Sequence, residues 1–390
     1  MMTTSAFRLA EFDDERLRIE LLHPPAMFYA LVHNNVPVVH HLRVRNASDD
    51  DLRDVDVRME LFGPDGALAG PWRRQVPVIP GQGEIGWDEF GDFSPAATTL
   101  VHADEAFPVT YEVTVTASGT RPARLTVPSR VLAHNEWQNS PALYDSIAAF
   151  VQPNTDSVNV VLRAASALLR GQTGSGSLQG YQAGPRRTAE IGAAIYEALR
   201  ELRIDYVASP ASFEDTGQKI RTTAAVLRDR LGNCIDLSVT YAACLEAAGL
   251  HPLVWIVEGH AFAGFFLGED RLPETVSLDA AQMINVVESG TAVAVELTGI
   301  GPGADSVAFA EAARLGRAHL RGPAALRGMV DIRLAHRSGI RPLPSTDPRP
   351  TADAPVEPLV TATSLALPAD LEASGALDRE ENLEVEAADD

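Results

Sequence analysis

A cysteine at the start of a predicted helix, Cys234, is the residue most suited to nucleophilic chemistry. Gly232 and Asn233 precede it, ending one helix and offering a cap for the next. From position 235 to 250 nearly every residue is apolar or small, which predicts a helix buried on all sides. The positive end of a helix stabilises a thiolate, and its free amides can hold an oxyanion. The alternative is an inert buried cysteine, an interpretation that suits Cys244 in mid-helix.

A histidine on a following strand, His260, is the candidate base. It comes after the apolar strand Leu253–Val257 and Gly259, and it precedes the apolar strand Ala261–Leu267. A Cys–His pair needs the imidazole about 3 Å from the sulfur and a third group to orient the ring. A helix that leads through one strand to an adjacent strand can bring the two together. The alternative is a core histidine whose hydrogen bonds are satisfied.

The two motifs together resemble the transglutaminase-like core of the papain-like thiol superfamily. The segment Gly232–Leu237 matches the family's Gly-x-Cys motif, and Gly259–Phe262 matches its His-Ala-aromatic motif, with Phe262 where Trp is usual. His260 follows Cys234 by 26 residues. Papain relatives separate the two by well over a hundred residues and caspases place the histidine first, so the short spacing favours the transglutaminase-like branch.

That resemblance implies an acidic third residue on the next strand. The segment Thr291–Thr298 has the strand pattern and the threonine two positions after the acid, but it carries Glu296 where Asp is common. Asp279 lies in the long insertion 269–290 and is the rival candidate. Strand context favours Glu296, and a surface or capping role is the alternative for either acid.

Residues from about 21 to 344 resemble the N-terminal region of large bacterial multidomain helicase-like proteins. The resemblance implies a β-sandwich before the transglutaminase-like domain, with motor and nuclease parts afterwards. The chain ends before such parts, so we expect motor activity on a separate helicase or nuclease partner. Defence against phage is one role that this resemblance implies. The supporting segments are His134–Trp137, Phe150–Asn154, Gly180–Gln182, Tyr206–Phe213, Gly217–Arg221 and Ile340–Pro344.

The chain is predicted to be an α+β protein with two domains and a tail. Apolar and polar residues alternate in 55–61 and 109–115, which predicts strands of an immunoglobulin-like β-sandwich over residues 1–135. The change to helical spacing places the transglutaminase-like domain at 136–338. Residues 339–390 are rich in proline and contain 3 Arg against 12 Asp and Glu, which predicts a disordered acidic tail.

Charge and composition exclude several function classes. A net charge of −21 repels phosphate backbones, so we expect no direct nucleic-acid binding. Lys219 follows Gln218, not glycine, so the chain has no P-loop. No apolar run is long enough to span a bilayer and no signal peptide is visible, which predicts a cytoplasmic protein without membrane contact. Cys234 and Cys244 lie about 15 Å apart along one helix, too far for a disulfide.

The predicted function is that of a cysteine-dependent peptidase or amidase acting on a protein or peptide substrate. Cys234 is the expected nucleophile, His260 the proton carrier and Glu296 the residue that orients the ring. Hydrolysis is favoured over cross-linking because water is always available. Neither a metal nor an organic cofactor is expected. The alternative is a catalytically inactive module that docks a helicase or nuclease.

Overall fold

The protein, seen here in a computed structural model, has a mixed α+β fold, and residues 7–91, 93–207, 217–303, 305–322, 324–345 and 365–378 are described. It divides into two compact units, Met1–Leu143 with Phe213–Lys219, and Tyr144–Ser212 with Ile220–Asp390. Within the described ranges, no helix has the length and apolar character needed to cross a membrane.

Seventeen strands are found among the described residues. They are β1 Arg8–Asp13, β2 Leu17–His23, β3 His41–Asn46, β4 Leu52–Gly63, β5 Gly66–Ile79, β6 Glu84–Trp87, β7 Phe107–Thr116, β8 Ala123–Val131, β9 Glu136–Trp137, β10 Asp205–Tyr206, β11 Gln218–Lys219, β12 Leu231–Gly232, β13 Pro252–Val257, β14 His260–Phe266, β15 Val276–Ser277, β16 Ala292–Val295 and β17 Leu326–Asp331.

Ten α-helices are found in the same ranges, together with a 3₁₀ segment at Pro141–Phe150. They are α1 Tyr29–His33, α2 Ala97–Leu100, α3 Asp156–Thr173, α4 Pro185–Glu201, α5 Thr223–Asp229, α6 Cys234–Ala247, α7 Ala280–Glu288, α8 Phe309–His319, α9 Ile332–Arg337 and α10 Ala369–Ala373.

The first unit contains two four-stranded antiparallel sheets, in the orders β1-β2-β3-β6 and β5-β4-β7-β8. The predicted alternation is confirmed in β7, where Val109, Tyr111, Val113 and Val115 are buried. The Tyr111 ring lies 5.2 Å from that of His23 in the other sheet, and its hydroxyl donates to the carbonyl of Val38 at 2.7 Å. Apolar side chains from both sheets therefore contribute to the core of this unit.

The second unit is built around helix α6 and a five-stranded antiparallel sheet in the order β15-β17-β13-β14-β16. The helix packs against β13 and β14, and every residue from Cys234 to Leu245 is buried. This confirms the prediction of a buried helix over these residues. Helices α3, α4 and α5 contact its remaining surface.

A two-residue turn places His260 at the first position of β14. Strands β13 and β14 form a hairpin in which Val257 pairs with His260 across Glu258 and Gly259. Gly259 has φ 72°, in the left-handed region where a β-carbon is strained. The turn chemistry of the sequence therefore fixes where the histidine enters the sheet.

Helix α8 lies unusually close to the edge strand β16. A β-carbon added at Gly316 would lie 2.6 Å from backbone atoms of Ala294, closer than a normal contact allows. The N–H of Glu296, directly after β16, donates to the carbonyl of Ala312 in α8 at 3.0 Å. The close approach therefore ties the end of β16 to the helix.

The predicted disordered tail differs from the structure where it is described. Residues 369–373 form α10, Leu371 and Leu377 are buried, and the guanidinium of Arg317 in α8 pairs with Asp370. Apolar contacts and ion pairs thus outweigh the acidic, proline-rich composition between 365 and 378. Two stretches of the tail, 346–364 and 379–390, are outside the described residues. So are residues 208–213 of the segment Tyr206–Phe213.

We expect Gly316→Ala to destabilise the second unit by about 1–3 kcal/mol, because the new methyl group must push α8 away from β16. Gly171→Ala is the matched control, since Gly171 also lies in a helix and a β-carbon there meets nothing within 4 Å. The control should gain up to about 1 kcal/mol from its better helix propensity. Urea unfolding followed by circular dichroism measures both, and equal stability of the two variants would contradict the close approach.

Candidate active site

The thiol of Cys234 lies at the first position of α6, held by a capping box. The Asn233 side chain accepts a hydrogen bond from the N–H of Asp236, and the Asp236 carboxylate accepts one from the N–H of Asn233, both at 3.0 Å. Asp236 is fully buried and also accepts two hydrogen bonds from Arg221, from its N–H and its guanidinium, both at 2.8 Å. This network fixes the start of the helix, where first-turn N–H groups have no intrahelical partner.

The two cysteines have different surroundings. Both are free thiols, and both are buried. Cys234 retains 4% of its surface exposed, whereas Cys244 has none and burial raises the pKa of its thiol. Cys244 therefore lacks both the access and the ionisation that a nucleophile needs.

The imidazole of His260 lies between the thiol and a carboxylate. Its Nε2 is 2.7 Å from Oε2 of Glu296. A second hydrogen bond joins the ring to the side chain of Cys234. The ring can therefore exchange a proton with sulfur on one side while a carboxylate orients it on the other.

Glu296 is buried and receives three donors. Its Oε1 accepts the N–H of Thr298 at 2.8 Å, while its Oε2 meets His260 and Nε2 of His319, the latter at 2.6 Å. The residue follows β16, and β16 pairs with β14, so the sheet brings Glu296 beside His260. A buried carboxylate is stable only with such compensation.

His260 and Glu296 each shift the pKa of the other toward its charged form. Burial lowers the pKa of His260, but hydrogen bonds and negative charge from Cys234 and Glu296 outweigh burial and raise it to about 10. Burial raises the pKa of Glu296, but His260 and His319 outweigh burial and hold the pKa well below its ordinary value. At neutral pH the site therefore contains an imidazolium beside a carboxylate, and the sulfur of Cys234 is next to that imidazolium.

The rival acid, Asp279, lies elsewhere. It is exposed and is the N-cap of α7, where its side chain accepts the N–H of Ala281 at 2.8 Å. It thus has the capping role that was its alternative interpretation. The carboxylate that accepts a hydrogen bond from His260 is that of Glu296.

The sequence analysis did not identify His319, the last residue of α8. Its ring lies 4.8 Å from that of His260 and 5.3 Å from that of Phe262. One signal in the sequence could have indicated His319. It is at the end of a helix face of small residues, because Ala312, Gly316 and His319 have the spacing i, i+4, i+7. Ligand atoms of His260, Glu296 and His319 lie within 4.8 Å of one another, and these side chains could hold a metal ion.

Tyr206 borders the site through a short parallel pairing. Strand β10 pairs with β12, so that Tyr206 lies opposite Gly232, two residues before Cys234. Burial raises the pKa of Tyr206, and the charges of Cys234 and Glu296 raise it further. The residue remains 41% exposed, which leaves aromatic surface near the thiol.

Comparison with known proteins gives no assignment. No protein-family model and no curated protein matches the chain. A provisionally assigned β-galactosidase from Bacteroides fragilis is 10% identical with a TM-score of 0.19, over 32% of this chain and 15% of that one. A provisionally assigned protease from Parabacteroides distasonis is 11% identical with a TM-score of 0.17, over 75% and 69%. A family 76 glycoside hydrolase from a bovine Bacteroides thetaiotaomicron strain is 8% identical with a TM-score of 0.14, over 74% and 58%. These scores are too low to bear on fold or function.

We expect iodoacetamide to alkylate Cys234 and to leave Cys244 unmodified in the folded chain, because only Cys234 has an exposed edge and a cationic neighbour. Peptide mass spectrometry after a timed reaction measures both sites. His260→Gln should slow the modification of Cys234, and unfolding in guanidinium should make the two cysteines react alike. Equal rates in the folded chain would show that Cys234 is not activated.

Proposed function

We propose that the chain is a cysteine hydrolase of transglutaminase-like type, a peptidase or amidase, acting through Cys234, His260 and Glu296. The proposal rests on one observation. A single imidazole is hydrogen-bonded on one side by a thiol at a helix N-terminus and on the other by a buried carboxylate. Thiol acyl transfer requires these three groups in this order.

The first half of the reaction acylates the enzyme. The Cys234 thiolate attacks the carbonyl carbon of an amide, a C–S bond forms, and the carbonyl electrons move onto oxygen. The N–H groups at the start of α6 stabilise this oxyanion. As the C–N bond breaks, the imidazolium of His260 gives its proton to the departing amine, and Glu296 keeps the ring in place.

The second half releases the acid. Water attacks the thioester carbonyl and gives a proton to His260, which is now neutral. The C–S bond breaks, so that the thiolate and the imidazolium are restored and a carboxylic acid departs. Water is always present, and therefore we favour hydrolysis over transfer to an amine.

The surface beside the thiol suits an apolar portion of a peptide. Tyr206 and Val207 are each 41% exposed. The N–H of Val207 donates to the carbonyl of Gly232 at 2.9 Å, which holds this pair next to the start of α6. An aromatic and an aliphatic side chain at the rim would contact the substrate while the polar groups act on its carbonyl.

We also propose a fold family for each of the two units. A helix that presents its first residue to an antiparallel sheet supports a transglutaminase-like second unit. Two antiparallel sheets with buried faces support an immunoglobulin-like sandwich in the first unit. A helicase or nuclease partner remains a proposal that follows from the sequence resemblance.

We expect the full chain to hydrolyse 4-nitrophenyl acetate through an acetyl group on Cys234. His260→Ala and Glu296→Gln should slow turnover by about 10²- to 10⁴-fold, because proton transfer and ring orientation are lost. Nitrophenolate absorbance gives the rate and mass spectrometry locates the acetyl group. Cys244→Ala is the matched control and should keep the full rate.

Two results would overturn this function. One is the absence of acetyl at Cys234, and the other is a turnover rate that the His260 and Glu296 variants leave unchanged. Either result would favour the alternative of an inactive module that docks a protein partner. Added hydroxylamine separates hydrolysis from transfer, since it converts the acyl group into a hydroxamate only if an amine can reach the thioester.

A further inference from the structure

The carboxylate of Glu296 is shared by two imidazoles, which is more than a thiol site requires. Oε2 lies 2.7 Å from Nε2 of His260 and 2.6 Å from Nε2 of His319. The catalytic chemistry uses His260 alone and leaves His319 without a chemical role. Two imidazole nitrogens and one carboxylate oxygen are a recognised ligand set for a divalent transition metal.

We propose that His260, Glu296 and His319 form a binding site for Zn²⁺ or a similar divalent transition metal, and that the bound metal stops the thiol reaction after acylation. The binding claim stands on the ligand geometry. The effect on the reaction rests on the proposed function. The sequence analysis expected no metal, because the thiol mechanism requires none, and it did not identify His319.

The distances permit this ligand set with a small adjustment. Zn²⁺ bonds of about 2.0–2.1 Å in a tetrahedral arrangement separate ligand atoms by roughly 3.3 Å. Each histidine nitrogen must therefore move away from Oε2 by roughly 0.6 Å. His319 ends α8 and its side chain is 36% exposed, so it can make this movement and also leaves a path for the ion. A water molecule would complete the coordination.

The surrounding contacts suit a metal site. Ligand histidines usually make a further hydrogen bond through the ring, and His260 has one with Cys234. Ligand carboxylates are usually held by a further donor, and the N–H of Thr298 holds Oε1 of Glu296. The His319 ring also stacks on Phe262 at an interplanar angle of 23°. The ligands are therefore oriented before an ion arrives.

The metal would replace the Nε2 proton of His260, which is released to solvent. The positive charge next to Cys234 persists when the metal binds, so the sulfur can still attack an activated ester. The ring can no longer accept a proton from the water that hydrolyses the thioester. Acetyl-Cys234 would therefore form once and accumulate.

Metal binding is tested on the full chain by titration with Co²⁺, whose absorption bands report coordination, and with Zn²⁺ by calorimetry. We expect one equivalent to bind with the spectrum of a nitrogen and oxygen site. His319→Ala and Glu296→Gln should each weaken binding by about 10²-fold or more. His102→Ala, at an exposed position of the first unit, is the matched control and should bind like the original chain. Cys234→Ala should weaken binding less than either ligand variant, because sulfur is not a ligand and only orients the His260 ring.

Two outcomes would overturn the site. If neither metal binds, His319 is only a hydrogen-bond donor to Glu296. If binding survives in both His319→Ala and Glu296→Gln, the metal occupies another part of this acidic chain. Circular dichroism melting of each variant shows that a loss of binding is not a loss of fold.

A separate experiment measures the effect of the bound metal on the thiol reaction. With 4-nitrophenyl acetate, saturating Zn²⁺ should leave the first equivalent of nitrophenolate and abolish the turnovers that follow. A chelator should restore turnover. Undiminished turnover in the metal-bound chain would overturn the inhibition while leaving the binding site intact, and a chain that binds metal but never acylates would instead contradict the proposed function.

Discussion

The buried carboxylate of Glu296 is the constraint around which the second unit is arranged. A charge in this position is stable only if donors compensate it, and three elements supply them: the chain after β16, the start of β14 and the end of α8. Removing one partner of a buried pair typically costs about 3–5 kcal/mol. The sheet, the helix and the charged imidazole of His260 are thus held together by one side chain.

The opposite side of His260 depends on a second buried acid. Asp236 completes the capping box of α6 with Asn233 and accepts hydrogen bonds from Arg221, so these contacts hold the first turn, where Cys234 lies. Asp236 thus holds the Cys234 end of the Cys234–His260–Glu296 arrangement, and Glu296 forms the other end. Electrostatic preorganisation of this kind acts before a substrate binds, which is why these groups can favour the charged form of the His260 ring.

Features that depend on neighbouring residues in the sequence could be predicted, and features that depend on tertiary packing could not. The position of Cys234 follows from Gly232, Asn233 and the apolar run, and that of His260 from the hairpin turn at Gly259. The choice between Glu296 and Asp279 could not be made securely from sequence, because it depends on the pairing of β16 with β14. His319 was not found at all, since its place depends on how closely α8 packs on β16. In 365–378, ion pairs and a few buried side chains outweighed a composition typical of disorder.

The central claim is that His260 is held as an imidazolium between Cys234 and Glu296. Nitrogen NMR of the full chain labelled at its 10 histidines tests it most directly, with His260→Gln to assign the signal. At neutral pH both ring nitrogens of His260 should carry the shifts of protonated imidazole, consistent with a pKa raised to about 10. The shifts of a neutral ring at neutral pH would contradict the claim.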